Sequence, residues 1–191
     1  LIFGSNPRVS HMSFVSIADP MAALRAAKKR GASIRFVDPR ENESVAGIGE
    51  CIKVKPDTDV YVMASMLDYM AKEDLFDQEA IRNHGSKVEQ LVEFVGQYPA
   101  ERTAAVTGVE ASEIKALARE FATADSASVY MSTGVNMGRQ GTVGYWLLHM
   151  LSFVTGNLDK RGGNIYSLGF YPAAKAGRMR DPDVFFDTPF G

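Results

Sequence analysis

Four clusters in this 191-residue chain carry residue types that can grip a phosphorylated ligand, and three of them directly follow an apolar run of strand character. Leu1-Ile2-Phe3 leads into Gly4-Ser5-Asn6-Pro7, Ile34-Arg35-Phe36-Val37 into Asp38-Pro39-Arg40, and Ser128-Val129-Tyr130-Met131 into Gly134-Val135-Asn136-Met137-Gly138. In open α/β sheets, ligands bind beyond the carboxyl ends of the strands. Gly4 lets a backbone approach a phosphate closely, and Ser5 with Asn6 can donate hydrogen bonds to it. Asp38 lies 34 residues after Gly4 at the tip of the second strand, where a dinucleotide-binding fold commonly places its ribose-binding acid. The G-x-G-x-x-G fingerprint is absent after the first strand, which disfavours an ordinary NAD site.

The fourth cluster, Asp57-Thr58-Asp59, follows Pro56 and opens a helix. One reading is capping, since acids and hydroxyls suit a helix N-terminus. The other is base recognition. Guanine presents two N–H donors side by side, and a single carboxylate accepts both, so Asp59 could read that edge while Thr58 or Asp57 caps. The pattern by itself allows both.

Little else suggests bond-breaking chemistry. His11, His84 and His149 show no metal-ligand spacing, and only His11 lies near a strand tip. Cys51 reads as a small buried hydrophobe. No Ser–His–Asp or Cys–His set is apparent. A single cysteine excludes an internal disulfide and a four-cysteine iron–sulfur cluster within this chain. Twenty-one basic against 23 acidic side chains give a net charge of −2, so nucleic acid is not an expected partner. No apolar run reaches the roughly 18–20 residues of a membrane span. With 46% hydrophobic residues, the chain can build a substantial core. It opens on what reads as a strand, without an initiator methionine, as a piece of a longer polypeptide would.

The elements that must position these clusters alternate between strand and helix. A helix is expected from about Pro20 to Arg30, with Asp19 as N-cap and Gly31 past its end. Met63, Met66, Leu67 and Met70 recur at helical spacing, as do Val88, Leu91, Val92 and Val95. Ile114, Leu117, Ala118, Phe121 and Ala122 form the clearest stripe, and Val143, Leu147, Met150, Leu151 and Val154 mark a last helix. Cys51-Ile52-Lys53-Val54 adds a short strand. The expected fold is a three-layer, Rossmann-like α/β domain with a mainly parallel sheet. Past Asn164 the sequence turns glycine- and proline-rich, and residues 165–191 read as an irregular tail.

Taken in order, these segments resemble one family. Gly4-Ser5-Asn6-Pro7 with Ser10-His11, Val37-Asp38-Pro39-Arg40, Lys55-Pro56-Asp57-Thr58-Asp59, and Gly134-Val135-Asn136-Met137-Gly138 with Gly141-Thr142 are similar to stretches of the molybdopterin oxidoreductases. Leu151-Ser152-Phe153-Val154-Thr155-Gly156-Asn157-Leu158, followed by Arg161-Gly162-Gly163-Asn164, extends the likeness. The resemblance is to enzymes that carry bis(molybdopterin guanine dinucleotide), the dimethyl sulfoxide reductase type.

It implies oxygen-atom or hydride-equivalent transfer at molybdenum or tungsten, with the substrate chosen by residues elsewhere. Residues 1–124 would form a dinucleotide-binding domain, and a glycine-rich crossover would take 125–164 into a partial second cofactor-binding domain. Gly4, Ser5, Asn6 and Pro7 would lie at one dinucleotide's phosphates, Asp38, Pro39 and Arg40 at its ribose or base, and Asp57, Thr58 and Asp59 at its guanine. Gly134, Val135, Asn136 and Met137 would approach the other half of the cofactor. Such enzymes often have glycine where this chain has Asp57. The metal ligand and any iron–sulfur cluster would belong to other segments, so the piece would bind without catalysing. Its partners would be the rest of the parent chain and an electron-transfer subunit, with cytoplasm or periplasm left open. Two other readings compete: a self-contained module for NAD or a purine nucleotide, without metal, and a contact domain that has lost its ligand.

Overall fold

In a computed structural model, residues 1–11 and 17–165 are described. Most of the expected irregular tail therefore lies outside the described residues. Four strands, β1 (Ile2–Phe3), β2 (Arg35–Asp38), β3 (Glu50–Lys53) and β4 (Tyr130–Met131), make one sheet in the order β3-β2-β1-β4. Every pairing is parallel, with Phe3 opposite Val37 and Met131, and Val37 opposite Ile52.

The period-2 alternation of a strand divides these residues between two cores. Phe3, Val37 and Ile52 point to one face, and Ile2 and Phe36 to the other. The second face is covered by α2 (Pro20–Lys29) through Met21 and Leu24, with Val45 and Ile48 from the β2–β3 connection. Asp19 caps α2 as expected, its carboxylate accepting the Ala22 N–H at 2.8 Å, and Pro20 occupies the first helical position.

The first face carries most of the helices. Helix α3 (Asp59–Lys72) is buried nearly all round, and Met63, Met66, Leu67 and Met70 are fully inaccessible. It packs against α5 (Val88–Val95), α6 (Ala100–Thr107), α7 (Ala111–Thr123) and α9 (Gly141–Val154). Helix/sheet/helix layering thus produces the expected three-layer α/β fold.

Four short helices have no counterpart in the sequence reading, for physical reasons. Helix α4 (Gln78–His84) buries no residue, so it shows no apolar stripe. Helix α6 turns Thr103 and Thr107 inward, and the Thr103 hydroxyl lies 2.6 Å from the buried Ser65 hydroxyl, so its buried face is polar. Helices α1 (Pro7–Ser10) and α8 (Thr133–Asn136) are single turns too short for periodicity.

Residues 125–164, expected to return toward a second cofactor-binding domain, contribute β4 to this sheet and α9 to the helices on its first face. Tyr130 and Ser132 donate to the Leu1 and Phe3 carbonyls at 2.9 and 3.1 Å, and α9 packs on α3. The exposed edge of the returning strand is stitched by two asparagines. Asn164 accepts the Val129 N–H at 2.9 Å and donates to the Val129 carbonyl at 2.7 Å, while Asn157 accepts the Ala127 N–H at 3.0 Å. One side-chain amide thereby completes the bonds a fifth strand would make.

Candidate functional site

Because every strand is parallel, the four carboxyl ends share one edge. The chain runs from β1 outward to β2 and β3, then returns to β4 on the other side, so the switch point lies between β1 and β4. There the first and last loops meet backbone to backbone. Gly134 N–H donates to the Gly4 carbonyl at 3.1 Å. A Cβ on Gly4, at φ +54°, would stand 2.9 Å from three backbone atoms of Gly134 and Val135. The glycine at position 4 is therefore required by the contact between these two loops of the chain, beyond any approach to a phosphate.

A second contact joins the β1 and β2 loops through residues that strand-tip reasoning passes over. Asn42 is buried, and its Nδ2 donates to the Ser5 carbonyl at 3.1 Å and to the Asp38 carboxylate at 3.2 Å. Ser44, also buried, donates to Asn6 Oδ1 at 2.6 Å and accepts the Arg8 N–H at 2.9 Å. Asn6 in turn donates to Glu43 at 2.6 Å. The signal available in the sequence was a run of short polar residues, Asn42-Glu43-Ser44, just past Asp38-Pro39-Arg40. Arg40 stays exposed, its guanidinium 3.4 Å from Glu43.

At the β3 end the three acidic and hydroxyl positions divide their work: Thr58 holds the N-cap position of α3, but no side chain caps the helix by a hydrogen bond. The Thr58 hydroxyl donates to the Lys55 carbonyl at 2.7 Å. Asp57 sits at φ +63°, a left-handed conformation natural to glycine and tolerated by Asp. Its carboxylate accepts the Arg139 N–H at 3.0 Å. Asp59, in the first turn of α3, is 5% exposed, and its Oδ1 has no hydrogen-bond partner. Burial, reinforced by the Asp38 and Asp57 carboxylates against a favourable backbone hydrogen bond, pushes its carboxyl up to about 6. The Ser5 hydroxyl is the other buried, unpartnered polar atom on this rim.

The remaining expected residues vary in what they offer. Asn136 is exposed, and Met137 is 83% exposed. Val135 packs into the core against Gly144, leaving only its backbone for a ligand. Pro7 is buried and Pro39 exposed. His11 ends α1 on the surface, at φ +43°. Burial and nearby Asp38 push the Cys51 thiol up, and its Sγ lies 3.6 Å from the Arg40 carbonyl, an unpromising ligand. Among the described residues, no His, Cys, Asp or Glu group could hold a metal ion, and no helix is long and apolar enough to cross a membrane. A cavity of about 800 Å³ opens at the opposite edge of the sheet, by Leu24, Arg35, Glu120 and Tyr130. The Arg35–Glu120 pair on its wall is already matched, since Glu120 accepts from Ser33 at 2.5 Å and from Arg35 at 3.1 Å.

The arrangement can thus accept a donor fork at Asp59 and engage an anion beside Ser5. A guanosine phosphate carries both a donor fork and an anion, so these unpartnered atoms are of the type its two ends would need. Comparisons with known proteins identify the family. The alpha subunit of an F420-dependent formate dehydrogenase from Methanocaldococcus jannaschii is 30% identical over 88% of this chain and 24% of its own length. Formate dehydrogenase H of Escherichia coli is 32% identical over 83% of this chain and 21% of its own. The solved acetylene hydratase from Pelobacter acetylenicus superposes with a TM-score of 0.70 at 27% identity, over 81% of this chain and 21% of that one. The chain therefore spans about a quarter or less of the relatives it matches. The molybdopterin oxidoreductase family model matches residues 1–185, and the chain belongs to that family.

Proposed function

We propose that this chain is the portion of a molybdenum or tungsten pterin enzyme that holds a guanosine end of bis(molybdopterin guanine dinucleotide). The carrying observation is the buried Asp59 carboxylate with an unpartnered oxygen, at the strand-end edge where Ser5 is likewise unpartnered. Leaving a buried carboxylate unpaired costs free energy that a matching ligand repays.

In this reading Asp59 accepts the N1–H and N2–H of guanine. Ser5 and Asn6 donate to the phosphates, with Arg40 adding positive charge at the rim, and Asp38 accepts from the ribose. Gly134, Asn136 and Met137 face the remaining part of the cofactor. When bound, the pterin-held metal supplies the redox chemistry. These residues supply binding and orientation, and the chain alone does not catalyse. The parent polypeptide and an electron-transfer subunit are the partners this role requires.

Calorimetric titration of the 191-residue chain with GDP, ADP and NAD tests it. GDP should bind preferentially, and Asp59→Ala should remove that preference. Tighter binding of NAD, or GDP affinity indifferent to Asp59→Ala, would overturn the reading.

A further inference from the structure

Asp57 departs from the role its neighbours suggest. It lies two residues before the base-reading acid, yet its carboxylate is turned to the loop that follows β4. Oδ1 accepts the Arg139 backbone N–H at 3.0 Å, and Oδ2 lies 3.7 Å from the Arg139 Nε. A Cβ built on Gly138 would stand 2.4 Å from the same Oδ1, so the loop backbone is seated directly on this carboxylate. The backbone of Asp57 is left-handed at φ +63°, which directs the side chain across the gap at a cost that the hydrogen bond offsets.

From this geometry we infer that Asp57 is a positioning residue: it ties the glycine turn of residues 137–141 to the base-reading loop, so that the two loops close on a ligand as one body. The inference rests on the guanosine-site reading for its function, but not for its existence. Two other links already fix the rim, Asn42 between the β1 and β2 loops and the Gly4–Gly134 contact between the β1 and β4 loops. Asp57 supplies a third link, between the β3 and β4 loops, and the four strand-end loops are then joined in one continuous series, β2–β1–β4–β3.

Glycine adopts φ +63° without strain, so Asp57→Gly removes the carboxylate and spares the backbone. Asn also tolerates that conformation and keeps an acceptor oxygen, so Asp57→Asn should restore the tie. Backbone amide exchange at Arg139, followed by NMR in the ligand-free chain, should speed up about fivefold or more in Asp57→Gly, and return toward the parent rate in Asp57→Asn. GDP titration of the same three proteins should show weaker binding in Asp57→Gly and recovery in Asp57→Asn. Unchanged Arg139 exchange in Asp57→Gly would overturn the tie. Faster exchange with undiminished GDP affinity would overturn its role in the site. Absence of GDP binding by the parent chain would instead defeat the guanosine reading and the tie's role in it, while exchange at Arg139 would still decide whether the tie exists.

Discussion

The two edges of the sheet are built from similar residue types to opposite ends. At the amino edge, Arg35 bridges Glu50 and Glu120, Ser33 donates to Glu120, and the side chains are matched. At the carboxyl edge, Asp38, Asp57 and Asp59 crowd together without a facing cation of comparable closeness, and Asp59 and Ser5 keep buried atoms unpartnered. The backbone differs as well. Gly4 and Asp57 hold left-handed conformations inside contacts, whereas Gly31 at the amino edge is left-handed with nothing within 4 Å of its missing side chain. Satisfied groups contribute to holding the fold; in the guanosine reading proposed above, the unsatisfied ones are where a ligand would complete the structure.

That contrast is most severely tested by adding one methyl group at each edge. Gly4→Ala forces a Cβ to 2.9 Å from the Gly134 backbone at φ +54°, so the two loops must part. A loss of about 3 kcal/mol in urea unfolding is expected, with GDP binding abolished. Gly31→Ala meets only the left-handed backbone, at φ +97°, and should cost about 1 kcal/mol with GDP affinity intact. Equal costs at the two positions would show that the Gly4–Gly134 approach is not a constraint.

Asp59→Asn sharpens the comparison because stability and binding should move in opposite directions. The folded-state value, raised from 3.8 to about 6, means that the folded chain binds more protons than the unfolded one between those limits. Stability of the free chain therefore falls as pH rises from about 4 to about 6, and the deficit persists above. The amide variant has no such window and should be more stable at pH 7 by about 2 kcal/mol. GDP affinity of the parent chain should rise as pH climbs through 6, since only the ionised carboxylate accepts both guanine donors, and Asp59→Asn should lose binding at every pH. Urea melts and titrations at pH 5, 6 and 7.5 read both effects. A variant less stable than its parent at pH 7 would mean that the carboxylate is not strained by burial.

The sequence revealed the scaffold more fully than the rim. The apolar runs at Ile2-Phe3 and Phe36-Val37, the Asp19-Pro20 start of α2 and the methionine stripe of α3 are local signals, and each element formed where they lay. What escaped was non-local or polar. Asn42 and Ser44 act through hydrogen bonds to residues more than 30 positions away, and the local polar run that holds them does not say which residues they reach. Asp57 and Asp59 look equivalent as letters. Only the fold shows that one faces a neighbouring loop and the other buries a carboxylate oxygen without a partner. Val135 could be placed among ligand-contacting residues because a glycine-rich turn looks exposed, yet its side chain completes the core.

Glu120→Gln probes the satisfied edge and should have the smallest effect. Burial pushes the Glu120 carboxyl up, but the Ser33 hydroxyl and the Arg35 guanidinium outweigh it and hold it below the usual carboxylate range. A lowered value contributes stability above the ordinary carboxylate pKa, which is lost as pH falls through the folded-state value. Glu120 and Arg35 are both partly solvated, so the pair is worth about 0.5 kcal/mol at pH 7 after screening. The variant should lose that much at neutral pH, converge with its parent in acid, and lose less at high salt. Its GDP affinity should equal the parent's, because no described contact of Glu120 reaches the carboxyl edge. If removing this charge weakened GDP binding as much as Asp59→Asn does, the edges would be coupled through the sheet, and the division between a structural edge and a ligand edge would not hold.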